Sequence, residues 1–240
     1  MDGEGLRVLM AGLSSNNLIS GSTSHLLTGY IGSVSFLNAV IDAYKQLREA
    51  NSGVKFVCDP VMGDDGKMYV SEEMLGVYRD EVVKLAYMVT PNAFEASLIT
   101  GLPLNDLDTA KVAVSALHEL GPQIVVVTSM QLEDFPADKL VMMVSERALG
   151  VFCIEIDKVN GHYTGTGDLV AALLLAHEHN FVGDDSGDKW PSILRNVANT
   201  MQCIIRRTFE AGGGELKLIQ SKNDIEKKDW EGGARVWKVE

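Results

Sequence analysis

The run Ile124-Val125-Val126-Val127-Thr128-Ser129 decides the fold class. It is apolar until its polar end, so it reads as a strand buried on both faces, central in a parallel sheet. Parallel strands need crossover connections, usually helices. The preceding sequence supplies them. Residues 109–120 read as a helix closed by Gly121-Pro122, and residues 93–100 as a helix closed by Gly101. Met88-Val89-Thr90-Pro91 is a short strand stopped by its proline, and residues 71–86 are helical. Val54-Lys55-Phe56-Val57-Cys58 is a strand running into Asp59-Pro60. Phe36, Leu37, Val40, Ile41, Tyr44 and Leu47 give residues 33–50 one apolar helical face. His25-Leu26-Leu27-Thr28-Gly29-Tyr30 is a short buried strand ending in a turn, preceded by a loop over 14–24 and a helix over 6–13.

Beyond the central strand, residues 140–144 and 151–156 alternate weakly and predict an antiparallel pair at a sheet edge. An apolar helix follows Asp168, then a polar stretch over 183–189 and a long helix near 190–211. Residues 216–219 are read as a last strand; the tail carrying Trp230 and Trp237 is too mixed to assign. No internal repeat or domain boundary interrupts the pattern, so residues 1–240 read as one large α/β domain.

Charge and cysteine content narrow the partners. The net charge is -12 with no Lys/Arg cluster, which disfavours nucleic acid or an anionic membrane as partner. An acidic chain that binds an anion must do so locally, through backbone N–H groups, a few cations or a metal ion. Cys58, Cys153 and Cys203 are far apart and odd in number, as expected of reduced thiols in a cytoplasmic protein. The acidic start lacks an apolar signal-type core, and no apolar run reaches membrane-spanning length.

Parallel sheets bind ligands beyond the carboxyl ends of their strands. The polar groups there are Thr28-Gly29-Tyr30, Asp59-Pro60 with Gly63-Asp64-Asp65, Thr90-Pro91-Asn92, Thr128-Ser129 and Tyr163-Thr164-Gly165-Thr166-Gly167-Asp168. The last opens directly into Leu169-Val170-Ala171-Ala172-Leu173-Leu174-Leu175, a buried helix. A helix N-terminus presents unpaired N–H groups and partial positive charge, and Gly165 and Gly167 let an anion approach closely. Asp168 beside it is placed to accept a proton, the pairing that phosphoryl transfer to an alcohol needs. The same residues also read as a tight turn with an Asp cap.

Asn92 and Glu95 share one face of a first helical turn, so they could hold hydrated Mg²⁺, or Glu95 could simply favour the helix N-terminus. Asp59 is a second metal-side carboxylate or a turn residue fixed by Pro60. Thr128 and Ser129 could bond phosphate oxygens or cap their loop. Asp64-Asp65-Gly66-Lys67 is an exposed turn. Of the five histidines only His162 adjoins the anion turn; no His/Cys spacing suggests zinc, and no Walker or dinucleotide glycine motif is present.

These segments, together with Cys58-Asp59-Pro60-Val61-Met62-Gly63-Asp64, Met68-Tyr69-Val70 and Thr90-Pro91-Asn92-Ala93-Phe94-Glu95, resemble the pyridoxal kinases of the ribokinase superfamily, in order and spacing, as far as Ile225. The resemblance implies a three-layer αβα sandwich with a mostly parallel sheet, ATP as donor, and pyridoxal, pyridoxine or pyridoxamine as acceptor through its 5′-hydroxyl. It implies Asp168 as the base and Gly165, Thr166 and Gly167 as the cradle of the transferring group. Thr128, Ser129 and Thr164 would touch ATP phosphates. Asp59, with Asn92 and Glu95, would organise Mg²⁺ and a monovalent cation. Tyr30 would line the vitamin pocket, and Tyr69 would lie near the nucleotide. A cytoplasmic homodimer is also implied. The resemblance starts inside the family pattern: the family's first strand, its helix and the covering strands have no counterpart before residue 20. The expectation is therefore a shortened kinase with weakened vitamin binding and dimerisation. Two other readings stay open: a catalytically impaired form acting by dimerisation, and a kinase of a hydroxymethylpyrimidine.

Overall fold

The computed structural model describes residues 2–19, 21–183, 187–227, 230 and 234–239. Residues 184–186 of the polar 183–189 stretch lie outside them. The order is α1 (Gly3–Ser15), β1 (His25–Thr28), α2 (Val34–Ala50), β2 (Lys55–Cys58), a hairpin of β3 (Gly63–Asp64) and β4 (Lys67–Met68), and α3 (Glu72–Val77). A π-helical turn, Tyr78–Val82, leads into α4 (Val83–Leu85), β5 (Met88–Val89), α5 (Ala93–Thr100), α6 (Leu107–Leu120) and β6 (Ile124–Met130). Then come β7 (Lys139–Glu146), β8 (Gly150–Asp157), α7 (Thr166–Asn180), α8 (Lys189–Glu210), a 3₁₀ turn (Ile219–Ser221), α9 (Lys222–Ile225) and β9 (Val236–Val239).

Seven strands form one sheet in the order β1-β2-β5-β6-β7-β8-β9, with β6 at its centre. β1, β2, β5 and β6 run parallel, and the rest of the sheet is antiparallel, so β8 points the same way as the first four. Strand side chains alternate between two apolar layers, as the period of two requires. Phe56, Cys58, Val89, Val125, Val127 and Met143 face α2, α3, α5 and α6. Val57, Met88, Ile124, Val126, Met142 and Val144 face α7 and α8, where Trp190, Leu194 and Val197 are buried. This is the expected α/β layering.

Helix ends follow local chemistry. Asn92 and Glu95 form a reciprocal capping box on α5, as do Asp106 and Thr109 on α6. Gly101 closes α5 at φ 71°, a left-handed conformation that glycine adopts without cost.

The helix expected over 71–86 is present from Glu72 to Leu85 and carries a π turn within it, in which Val83 N–H donates to Tyr78 C=O. Two sequence expectations are corrected. The β7–β8 pair is not the sheet edge, because β9 of the unassigned tail pairs with β8. Residues 216–219 form no strand; their neighbour Glu215 makes only an isolated bridge to Thr164, and the chain turns into 3₁₀ helix at Ile219. Neither the alternation in 216–219 nor its absence in the tail reveals which segment finds an open strand to pair with.

At the amino ends of the strands, buried Glu178 near the end of α7 accepts from Lys55 Nζ at 3.2 Å and Tyr87 Oη at 3.0 Å. Buried Lys189 at the start of α8 joins it at 3.5 Å and also reaches Glu146 at 3.1 Å, whose other donor is Trp190 Nε1 at 2.6 Å. Low dielectric makes such a satisfied network rigid. It ties the far end of α7 to the base of the sheet, and so fixes where the opposite end of that helix stands at the rim.

Candidate active site at the carboxyl rim

The rim is stitched one residue beyond the parallel strands. Asp59 N–H donates to Thr28 C=O, Thr90 N–H to Cys58 C=O and Thr128 N–H to Pro91 C=O, each at 3.0 Å. The polar residues after β1, β2, β5 and β6 therefore stand in a row. At Thr128 and Ser129 the register of β6 against β7 slips, a bulge of the kind that redirects side chains near active sites. Both residues are half-buried.

Over this row sits the start of α7. Gly165 caps it at φ 91°, with no side chain closing the helix end. The first bond of the ladder is Leu169 N–H to Gly165 C=O at 3.1 Å, which leaves the amides of Thr166, Gly167 and Asp168 outside it. Thr164 N–H donates to Gly214 C=O at 2.9 Å, tethering the turn from behind. Thr164, Gly167 and Asp168 are exposed. The amides and the carboxylate thus face solvent together.

Two close approaches join this turn to the strand ends. A methyl group on Gly29 would run into Asp168 Oδ1, and one on Gly167 would lie 3.2 Å from Asp59 Oδ2. Asp168, Gly29, Gly167 and Asp59 are immediate neighbours, although they come from three distant parts of the chain. Gly29 was legible only as part of a turn; no local signal marks a glycine required by a side chain on another element.

Asp59 is buried, and its Oδ2 has no hydrogen-bond partner. Burial, then the charges of Glu95 and Asp168, push its carboxyl up to about 8. A buried carboxylate oxygen with a free lone pair and raised proton affinity suits a cation. Glu95 is differently employed. Its Oε1 accepts from Met62 N–H at 2.9 Å and its Oε2 from Asn92 N–H at 2.9 Å. Burial raises it to about 7 against the opposing pull of those amides. Asn92 is equally occupied: its side chain accepts from Glu95 N–H at 2.9 Å and donates to Gly63 C=O at 2.8 Å. Asn92 and Glu95 therefore lock the β3–β4 hairpin and α5 around Asp59.

Tyr30 and Tyr69 are exposed, 60% and 50%, at the edges of the rim. Tyr69 follows the hairpin, its N–H donating to Met62 C=O at 2.7 Å. His162 is exposed. Sequence reasoning placed Thr90 on the rim without a role for it and did not single out Tyr78. Both are buried; the Tyr78 hydroxyl has no hydrogen-bond partner, and the Thr90 side chain bonds Asp59, pulling its carboxyl down against the burial that raises it. Among the described residues there is no group of three His, Cys, Asp or Glu side chains arranged to hold a metal. The three cysteines are free, Cys58 and Cys153 buried.

The raised carboxyls make a stability prediction. A folded chain that holds protons on Asp59 up to about 8 and on Glu95 up to about 7 binds more protons than the unfolded chain above pH ~4. Their contribution is fully present below their unfolded values and is lost as pH rises through the folded ones. Thermal melts from about pH 5 to about pH 8 therefore show a falling Tm. Asp59→Asn flattens that fall and melts several degrees higher at the alkaline end. A variant that melts lower throughout contradicts this.

Comparison with known proteins supplies the family. A family model described as phosphomethylpyrimidine kinase matches residues 21–182. A pyridoxal kinase of Arabidopsis thaliana is 39% identical over 94% of this chain and 74% of its own length. The human pyridoxal kinase is 36% identical over 94% of this chain and 78% of its own. This chain belongs to the pyridoxal kinase family. The pyridoxal kinase of Leishmania donovani, solved with ADP and pyridoxamine, superposes on the whole chain with a TM-score of 0.87 at 31% identity, and the chain covers 82% of it. The pyridoxal kinase architecture, a central sheet between helical layers, is therefore shared along the full described length. Among the described residues no helix is long and apolar enough to cross a membrane.

Proposed function

We propose that this chain is an ATP-dependent kinase that phosphorylates the 5′-hydroxyl of pyridoxal, pyridoxine or pyridoxamine, acting as one kinase domain. The observation that carries the reading is Asp168 standing at the mouth of an uncapped helix N-terminus, against Gly29 and beside Asp59. Family membership and the relatives' names supply the substrate class.

The chemistry follows from that placement. The amides of Thr166, Gly167 and Asp168 receive the oxygens of the γ-phosphoryl group as it transfers. Asp168 takes the proton of the substrate hydroxyl. The freed oxygen forms a bond to the γ-phosphorus while the bond to the bridging β–γ oxygen breaks, and ADP leaves with that electron pair. Thr164, Thr128 and Ser129 line the path of the phosphates. Tyr30 flanks the vitamin side and Tyr69 the nucleotide side. Asp59 is the residue to contact Mg²⁺ or a monovalent cation, with Glu95 and Asn92 fixing its surroundings. Such an ion neutralises phosphate charge when bound. The enzyme acts as a cytoplasmic homodimer in this reading.

The test is ADP release by the purified chain with ATP and each of the three vitamers, against hydroxymethylpyrimidine. Turnover that prefers the vitamers is expected. Preference for the pyrimidine alcohol overturns the acceptor assignment.

A further inference from the structure

Behind the turn that opens α7 lies the segment that follows α8, and it contains three consecutive glycines, Gly212-Gly213-Gly214. Glycines leave a chain free to take many paths, so a fixed course needs bonds at both ends. Thr208, fully buried in the last turn of α8, supplies both. Its carbonyl accepts from Gly213 N–H at 3.2 Å, and its hydroxyl accepts from Lys217 N–H at 3.1 Å. Between those anchors the chain bows against the anion turn. Gly214 C=O accepts from Thr164 N–H at 2.9 Å, and Glu215 forms a parallel bridge with Thr164. A methyl on Gly214 would lie 3.1 Å from His162 C=O, and one on Gly165 would lie 3.9 Å from Leu216 Cδ1. A threonine within a helix often settles its hydroxyl on the carbonyl four residues back, as Thr208 does on Ile204 at 2.7 Å. The helix needs nothing more from it. The second bond, to Lys217, serves the segment beyond.

We infer that Thr208 is a positioning residue for the anion cradle: its carbonyl and hydroxyl staple residues 213–217 into the arc that holds Thr164, and so set where the amides of Thr166, Gly167 and Asp168 stand. No side chain caps α7, so the placement of its first turn depends on what braces it from outside. This rests on the kinase reading for its kinetic consequence, but not for its geometry. Without the hydroxyl, Lys217 N–H loses its acceptor and the arc is held at one end only. The cradle grips the phosphoryl group most strongly while it transfers, so a misplaced cradle is felt in kcat before KM.

Thr208→Val in the full chain is the test, with Thr208→Ser to keep the oxygen. Thr200→Val is the control, a buried threonine of the same helix whose hydroxyl accepts from Trp230 Nε1 at 3.1 Å instead. A shift of about 1 Å can cost about 10²-fold, and a cradle loosened at one end is expected to lose about tenfold in kcat with KM values within about twofold. Thr208→Ala removes the same oxygen without adding a methyl and repeats the loss, so a valine that packs badly does not decide the case. Thr208→Ser and Thr200→Val keep kcat close to wild type. A second readout does not need turnover. Amide hydrogen exchange in the peptide covering residues 161–166 quickens about tenfold in Thr208→Val and Thr208→Ala, and not in Thr208→Ser or Thr200→Val. Wild-type kcat in both oxygen-lacking variants overturns the inference. So does a loss shared by Thr208→Ser or Thr200→Val, or unaltered exchange at the turn. An enzyme inactive on all vitamers would remove the kinase reading while the exchange still decides the role of Thr208.

Discussion

Asp168→Asn lowers kcat for vitamer phosphorylation about 10²–10⁴-fold while Tm and ATP affinity stay close to wild type. The size follows from what a positioned base contributes to proton transfer. The selectivity follows from structure: Asp168 is exposed at the first turn of α7, so its loss leaves no buried group unpaired. The amide cradle is formed by backbone and survives the change. Steady-state ADP release with a nucleotide-binding titration checks this. A variant within threefold of wild type would remove Asp168 from the chemistry.

Gly29→Ala is the second large effect, and a less obvious one. The added methyl collides with Asp168 Oδ1, and only a displaced carboxylate relieves it. The backbone at Gly29 is not left-handed, so alanine is accepted there without strain. A shift of about 1 Å in a reacting group can cost about 10²-fold, so kcat falls by that order with Tm unchanged. The decisive comparison is the double variant. Once Asp168 is asparagine, moving it further costs little, so Gly29→Ala adds much less than its single effect. Full additivity would show that Gly29 acts through something other than Asp168.

Both predictions concern residues whose meaning was unequally visible in sequence. Asp168 could be read because its signals are local: glycines, one carboxylate and a run of leucines, all in one turn. Gly29 could not, because its constraint comes from a side chain across the sheet. The central place of Ile124–Met130 was legible, since a strand apolar on both faces has nowhere else to go. The helix boundaries at Gly101 and Gly121 were legible from the glycines themselves.

What failed to show was pairing and interruption. The tail strand Val236–Val239 is mixed in composition, yet it covers β8, with Trp237 stacked on Phe135 at 5.7 Å. The π turn that begins at Tyr78 follows Gly76, a glycine inside the helix to which the sequence reading gave no meaning. Asn92 and Glu95 lay between two readings in sequence, a cation site and a helix cap. In the structure their polar atoms complete the cap and grip the β3–β4 hairpin, leaving Asp59 as the carboxylate with an oxygen to spare.

The account turns on a backbone anion cradle and an adjacent base acting together on an alcohol. Phosphorus-31 NMR of the purified chain with ATP and pyridoxal follows that event directly. The prediction is a phosphate monoester signal growing in step with ADP, at a rate that collapses in Asp168→Asn. Inorganic phosphate in place of the monoester, or an equal rate in the variant, would contradict it.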